Sequence, residues 1–137
     1  MVKYLLDTNV ISETRRKAPN AGLQAWLRRA DPQALHVSVL SFGEIAKGIE
    51  LIGLKDPAAG LALRKWFDEM RRLYTDRLIP INVDVAEEWG RISSLRSLPV
   101  IDGLLAATAI VHKMTLVTRN LRDMERTGVM VVNPWEE

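Results

Sequence analysis

Several oxygen-bearing side chains fall where β-strands are predicted to end. Asp7 directly follows an apolar strand, and Glu44 lies in the predicted first turn of the helix after a second strand. Asn120 and Asp123 follow a fourth predicted strand. Asp102 opens the helix before that strand, and it joins the others only if this helix begins on the same side. Ligands of open α/β sheets bind beyond the carboxyl ends of the strands, so this placement predicts a shared polar crevice.

The residue types in this predicted crevice suit a hard divalent cation. Mg²⁺ keeps several waters and takes a few carboxylates together with substrate phosphates. The chain has no cysteine, and its histidines, His36 and His112, are far apart in apolar contexts, so Mg²⁺ or Mn²⁺ is favoured over zinc. Such a site can activate water and stabilise the leaving oxygen in phosphodiester cleavage. This chemistry needs no protein nucleophile, which agrees with the lack of an evident Ser–His pair.

Each acid also has a purely structural interpretation. Ser41 and Glu44 have the spacing of a capping box, with Ser41 at the N-cap. Asp102 has the position of an ordinary N-cap residue, and Asp7 is placed to form a turn with the backbone that follows. Asp84 begins a second capping pattern, for which the structural interpretation is preferred. For the other acids, their joint placement favours a functional role.

Composition and charge limit the class of protein. A length of 137 residues predicts one domain spanning 1–137, and 47% hydrophobic residues are enough for a core. Asp7 breaks the opening apolar run before a signal-peptide core forms, and 104–111 is too short to span a bilayer. We therefore expect a cytoplasmic protein without a membrane segment. The net charge of +2 is compatible with nucleic-acid binding but does not indicate it.

The hydropathy pattern predicts short strands that alternate with helices. Strands are predicted at 3–6, 36–40, 78–83, 115–118 and 129–132. Helices are predicted from Asn20 to the Asp31-Pro32 pair, at 41–53 and 57–76, after Asp84, and at 103–112. This alternation implies βαβ units and an α/β fold with a mainly parallel sheet covered by helices on both faces.

The motifs together resemble PIN-domain toxins of the VapC type, and within them the FitB-like subgroup. The resemblance covers essentially the whole chain in order. It is carried by LLDTNVISE at 5–13, SFGEI at 41–45, DGLLAATA at 102–109, LVTRN at 116–120 and the closing VNPW at 132–135. The resemblance implies a three-layer α/β/α PIN-domain fold and the toxin component of a type II toxin–antitoxin system, a Mg²⁺- or Mn²⁺-dependent endoribonuclease.

The same resemblance implies partners and site residues. It implies a homodimer, an RNA substrate, and a hetero-oligomer with a small antitoxin, through which the complex contacts operator DNA. Asp7, Glu44 and Asp102 match the acidic metal ligands of the family. Thr118 and Asn9 match polar residues that support the site.

One position departs from the family pattern. Asn120 stands where a fourth acid is expected, and it offers a carbonyl oxygen but no charge. Asp123, about one helical turn later, is a candidate for the missing charge, and the number of metal ions, one or two, stays open. Candidates for holding the RNA backbone by charge, without reading its sequence, are four basic residues: Arg15, Arg16, Lys17 and Arg119.

Other functions were weighed against this interpretation. A phosphatase of the haloacid dehalogenase type needs a second aspartate where Asn9 stands, and a receiver-like domain needs a late lysine where Arg119 stands. The alternative that stays open is a degenerate PIN module, which binds RNA or a protein without cleavage. Asn120 gives that alternative weight, while the presence of Asp7, Glu44 and Asp102 together opposes it.

Overall fold

The computed structural model describes residues 1–136 and contains one five-stranded sheet. The predicted boundary at 137 lies outside the described residues. The strands lie in the order β3-β2-β1-β4-β5, and every neighbouring pair is parallel. Their bounds are β1 (Tyr4–Leu6), β2 (Leu35–Ser38), β3 (Leu78–Ile79), β4 (Thr115–Val117) and β5 (Val131–Val132).

In the described part of the chain, six α-helices cover the two faces of this sheet. They are α1 (Thr8–Glu13), α2 (Ala21–Arg29), α3 (Val39–Lys55), α4 (Pro57–Leu73), α5 (Val83–Leu95) and α6 (Val100–Val111). Side chains alternate between the faces of a strand, so Leu6 packs with residues of α1 to α4 while Leu5 packs with α5 and α6. The predicted three-layer α/β/α fold is therefore confirmed.

β1 is the central strand, and it fixes which loops meet at the functional edge. Leu6 is paired with Val37 of β2 on one side and with Val117 of β4 on the other. The residues after these three strands therefore emerge at the same edge of the sheet. Asp7 is tied to this edge by its own backbone N–H, which donates to the Val117 carbonyl at 3.1 Å.

The structure corrects three predicted helix starts. α3 begins at Val39, and Ser38 caps it by accepting a 3.1 Å hydrogen bond from the Leu40 N–H. The predicted Ser41 capping box is therefore wrong, and Glu44 lies in the second turn of α3. Sequence spacing alone could not separate these options, because Ser38 and Ser41 are both good capping residues.

The other two corrections concern α5 and α6. Asn82 caps α5, so Asp84 lies inside the first turn and is not a cap. α6 begins at Val100 after Pro99, which places Asp102 in the first turn instead of at the N-cap. Pro99 is the N-cap residue, so α6 has already begun when the chain reaches Asp102.

Two helices pack unusually closely where α3 turns into α4. Asp56 caps α4, and its carboxylate accepts a 3.1 Å hydrogen bond from the Ala59 N–H. Gly53 and Gly60 face each other across the turn, and a Cβ atom on Gly60 would lie 2.7 Å from the Gly53 Cα. Only a glycine at 60 permits this approach.

Within residues 1–136, no single helix is long and apolar enough to cross a membrane. Among these described residues, α5 and α6 together have the length and composition of a membrane span, but they are bent by 120° at their junction.

Candidate functional site

Asp7 caps a helix, and its side chain is buried. It is the N-cap of α1, and its Oδ1 accepts a 2.9 Å hydrogen bond from the Val10 N–H. The predicted turn with the following backbone is therefore present. The carboxylate also accepts a hydrogen bond from the side chain of Thr118, and Asp7 is only 9% exposed. A cap normally lies at the surface, so burial distinguishes Asp7 from an ordinary capping residue.

Asp7 and Asp102 carry electrostatic strain. Burial is the main cause that raises the pKa of Asp7, the Asp102 charge raises it further, and hydrogen bonds from Thr118 and the Val10 and Asn9 N–H groups oppose the rise. Burial likewise raises the pKa of Asp102, followed by the charges of Glu44 and Asp123. The start of α6 thus lies on the same side as the end of β1, as the shared crevice requires.

We call the group of Asp7, Glu44, Asp102 and Asp123 the acidic site. Its members come from four segments of the chain: the end of β1, the second turn of α3, the first turn of α6 and the loop after β4. Glu44 is exposed, Asp102 and Asp123 are half-buried, and Asp7 is buried. The site is therefore open to solvent on one side and closed by the sheet on the other.

Thr8 links two of these segments and was missed as a functional candidate. Its hydroxyl donates a 2.6 Å hydrogen bond to Oε1 of Glu44 and lies 3.0 Å from the Oγ of buried Ser41. Thr8 therefore orients Glu44 toward the first residues of α1. The only sequence signal was its place directly after Asp7.

Asn120 and Asp123 act together. Nδ2 of Asn120 donates a 2.7 Å hydrogen bond to Oδ2 of Asp123, and its backbone N–H donates to the Thr118 hydroxyl at 3.0 Å. Arg96, which the sequence analysis did not select, places Nη2 3.7 Å from Oδ1 of Asp123. At the position where a fourth acid is expected, the side-chain amide of Asn120 therefore hydrogen-bonds the nearby carboxylate of Asp123.

The donor chemistry of the acidic site fits a hard cation. In the part of the chain that the structure describes, no three His, Cys, Asp or Glu side chains are close enough to form a complete metal cage. Burial is the main cause of the raised pKa values of Asp7 and Asp102, the neighbouring carboxylates add to it, and a cation would offset that repulsion. Carboxylates with remaining positions left to water and phosphate suit Mg²⁺ or Mn²⁺.

Three of the four predicted basic residues line one cleft near the acidic site. A polar cavity of about 220 Å³, which we call the basic cleft, lies between α1 and the C-terminal turn (Pro134–Glu136). Lys17 is exposed and is not part of its lining. The lining residues are Asn9, Ser12, Glu13, Arg15, Arg16, Arg119 and Trp135.

The histidines lie outside this site. His36 is buried in β2, with Nδ1 3.0 Å from the Ala34 carbonyl oxygen. His112 follows the last residue of α6, at the end opposite Asp102.

The chain matches the PIN domain family over residues 4–129. It is similar to Toxin FitB of Neisseria gonorrhoeae, with 30% identity over 97% of this chain and 99% of that protein. It is also similar to VapC ribonuclease Y4jK of Sinorhizobium fredii, with 26% identity over 96% and 97% of the two chains.

Solved structures agree with this match. The crystal structure of FitAcB from Neisseria gonorrhoeae superposes with a TM-score of 0.90 and 31% identity, covering 98% of this chain and 99% of that chain. The structure of FitAB bound to an IR36 DNA fragment gives a TM-score of 0.82 and 31% identity, with 96% and 95% covered.

Proposed function

We propose that this chain, which belongs to the PIN-domain family, is a Mg²⁺- or Mn²⁺-dependent endoribonuclease and the toxin of a toxin–antitoxin pair. The observation that carries the nuclease assignment is the buried Asp7 carboxylate at the end of the central strand, coupled electrostatically to Asp102. The match to the relative from Sinorhizobium fredii covers 97% of that protein, which is named a ribonuclease. This supports RNA as the substrate class.

In this proposal Asp7, Glu44 and Asp102 hold the divalent ion. When bound, the ion supplies positive charge that activates water and stabilises the leaving oxygen during phosphodiester hydrolysis. Thr118 and the Val10 N–H hold the Asp7 carboxylate in place, and Thr8 does the same for Glu44. These contacts fix the donors before substrate arrives, which limits reorganisation during the reaction.

Asp123 supplies the fourth negative charge that Asn120 does not. Its charge already raises the pKa of Asp102, so it lies within electrostatic reach of the proposed ligands. Asn120 then serves as a positioning residue, because its side-chain amide donates to Asp123. One ion held by the protein, with a second brought by the RNA phosphate, is consistent with this arrangement.

The RNA backbone is held by charge in this proposal. Arg15, Arg16 and Arg119 line the basic cleft beside the acidic site, and Lys17 adds positive charge at the surface. Asn9, which is exposed and lines the same cleft, contacts the substrate between the acids and the arginines. Contacts of this kind position RNA without reading its sequence.

The proposed partners are inferred from the similar proteins. We propose a homodimer and a hetero-oligomer with a small antitoxin, which contacts operator DNA on behalf of the complex. The similar FitAB structure, which is bound to a DNA fragment, supports this assembly.

A non-cutting PIN module is the second candidate. It is favoured by Asn120 at the fourth acidic position and by the lack of a complete metal cage among residues 1–136. Such a module would bind RNA or a protein partner with the same surface but would leave the RNA intact.

Cleavage of total cellular RNA by the antitoxin-free protein separates the two candidates. We expect discrete fragments with Mg²⁺ or Mn²⁺, and none with EDTA or with the Asp7→Asn variant. Equal fragments from parent and variant would assign the activity to a contaminant. Intact RNA in every sample that contains Mg²⁺ or Mn²⁺ would favour the non-cutting module.

A further inference from the structure

We propose that the basic cleft binds one nucleotide of the RNA substrate, with its base against the Arg119–Trp135 pair and a phosphate at Arg15. This inference rests on the proposed ribonuclease function and adds a substrate subsite to it. The geometry that points to it is the guanidinium of Arg119, which lies over the indole ring of Trp135 at 5.1 Å from the ring centroid.

Two parallel strands bring this pair together. β4 and β5 run side by side, with Val117 paired to Val132, and the Thr118 N–H donates to the Val132 carbonyl at 3.0 Å. Arg119 and Trp135 follow these strands within three residues and therefore leave the sheet at the same edge. The Asn133 side chain shapes the tail by accepting a 3.0 Å hydrogen bond from the Trp135 N–H.

Trp135 has both a buried and an accessible part. It packs against the core cluster beneath α2, which fixes the ring, but it remains half-exposed and lines the cleft. Arg119 is exposed, so its guanidinium is reachable from solvent. Aromatic rings and arginine guanidinium planes are the surfaces on which unpaired RNA bases stack.

The charges of the cleft favour a phosphate. Arg16 pairs with Glu13, with Nε and Oε1 3.4 Å apart, and Glu13 also accepts a 3.0 Å hydrogen bond from the Asn20 N–H. Glu13 is thus already engaged. Among the described residues, Arg15 and Arg119 show no ion pair with a carboxylate, so their charges are available for an anionic ligand.

Position identifies that ligand as RNA. Asn9 lies two residues after Asp7, and Arg119 directly follows Thr118, which hydrogen-bonds Asp7. A nucleotide in the cleft would therefore be contiguous with a phosphate at the acidic site.

Binding of a short, fluorescently labelled single-stranded RNA tests the subsite. Fluorescence anisotropy in EDTA measures affinity without cleavage. We expect Arg119→Gln and Trp135→Leu each to raise Kd by about 10-fold, and Trp135→Phe to raise it less, because a smaller ring still stacks. Arg15→Gln, at the proposed phosphate contact, should lower the salt dependence of log Kd by about one unit of slope.

Arg64→Gln is the matched control. Arg64 also lies over an aromatic ring, at 5.2 Å from the Phe67 centroid, but it is on α4 and does not line the cleft. We expect its Kd to stay within about twofold of the parent, since it removes the same charge without the subsite.

Three outcomes would overturn the proposal. The first is parental RNA affinity in Arg119→Gln and Trp135→Phe; the second is an equal loss in Arg64→Gln. The third is unchanged RNA binding with lost binding of an acidic peptide, which would assign the cleft to a protein partner.

Because Trp135→Leu removes core packing, thermal unfolding is measured in parallel, and the folded Arg119→Gln and Trp135→Phe variants decide. Binding in EDTA without cleavage in Mg²⁺ would reject the nuclease but keep the subsite.

Discussion

The hydroxyl of Thr8 donates a 2.6 Å hydrogen bond to the carboxylate of Glu44. This contact joins the first residue of α1 to the second turn of α3, 36 residues later in the chain. Glu44 is exposed and its side chain is long, so the hydrogen bond from Thr8 fixes its carboxylate beside the start of α1, within electrostatic reach of Asp102. Thr8 is therefore a positioning residue in the proposed reaction, acting through Glu44.

Loss of the Thr8 hydroxyl should reduce RNA cleavage. Thr8→Val keeps the branched shape but removes a hydrogen bond to a charged group, and we expect kcat/KM to fall about 10-fold. Thr8→Ser, which restores the hydroxyl, should stay within about threefold of the parent. Cleavage of a labelled RNA fragment in Mg²⁺ measures both. If Thr8→Val cleaved RNA as fast as Thr8→Ser, Thr8 would not be a positioning residue for Glu44.

The buried charge of Asp7 should cost stability when no metal is present. Because its pKa is raised in the folded state, the native protein binds the proton more tightly than the unfolded chain. The resulting stabilisation is present below the unfolded pKa of about 3.9 and is lost as pH rises through the folded value. In EDTA at neutral pH we therefore expect Asp7→Asn to melt roughly 2–5 °C above the parent.

The gain from Asp7→Asn should shrink as the pH falls toward the unfolded pKa of Asp7, because the folded parent binds the proton more tightly than the unfolded chain. Asp84→Asn is the control, since it removes the same charge from an exposed residue of α5 and should give no gain at neutral pH. Thermal unfolding by circular dichroism across this pH range is the measurement. A variant that melts below the parent at neutral pH in EDTA would contradict the strain inferred for Asp7.

Asp123 should matter more than its exposure suggests. The pKa of Asp102 is raised by burial, then by Glu44 and by Asp123. Asp123→Asn removes the last of these charges from the acidic site, and we expect cleavage in Mg²⁺ to slow by about 10-fold through weaker metal binding. Glu125→Gln is the matched control, because Glu125 is an exposed acid in the same loop and makes no contribution to the acidic site. Excess Mn²⁺ should partly restore the Asp123→Asn rate. Equal slowing in both variants would point to the net charge of the loop instead.

The close helix approach at Gly60 gives a stability prediction. Gly60→Ala places a Cβ against the Gly53 backbone, and we expect a loss of about 2 kcal/mol or more in the free energy of unfolding. Gly90→Ala in α5 meets nothing within 4 Å and should gain about 0.5–1 kcal/mol. Urea denaturation measures both. If the two variants shifted stability in the same direction, the packing of α3 on α4 would differ from that described.

Much of the fold could be predicted because strand and helix periods differ in the sequence. The parallel sheet followed from apolar strands that alternate with amphipathic helices. The predicted third strand at 78–83 was too long, since β3 ends at Ile79 before Pro80, which cannot donate a ladder hydrogen bond. α1 was not predicted, because six residues are too few to show a helical period.

The site was predictable in its residue types but not in its local geometry. Asp7, Glu44, Asp102 and Asp123 could be selected because they follow strands or begin helices. The contacts that orient them depend on distant parts of the chain, as with Thr8 and Glu44 or Arg96 and Asp123. Trp135 was assigned only to the tail, since nothing local in the sequence indicates that Arg119 lies over its ring.

The most direct test of the central claim is a calorimetric titration of Mn²⁺ into the antitoxin-free protein at neutral pH. The proposed acidic site predicts saturable binding by the parent and by Asp84→Asn, and an affinity at least about 10-fold lower for Asp7→Asn. If Asp7→Asn bound Mn²⁺ as tightly as the parent, the divalent ion would not be held by the buried carboxylate at the end of β1, and the proposed reaction at this edge of the sheet would be wrong.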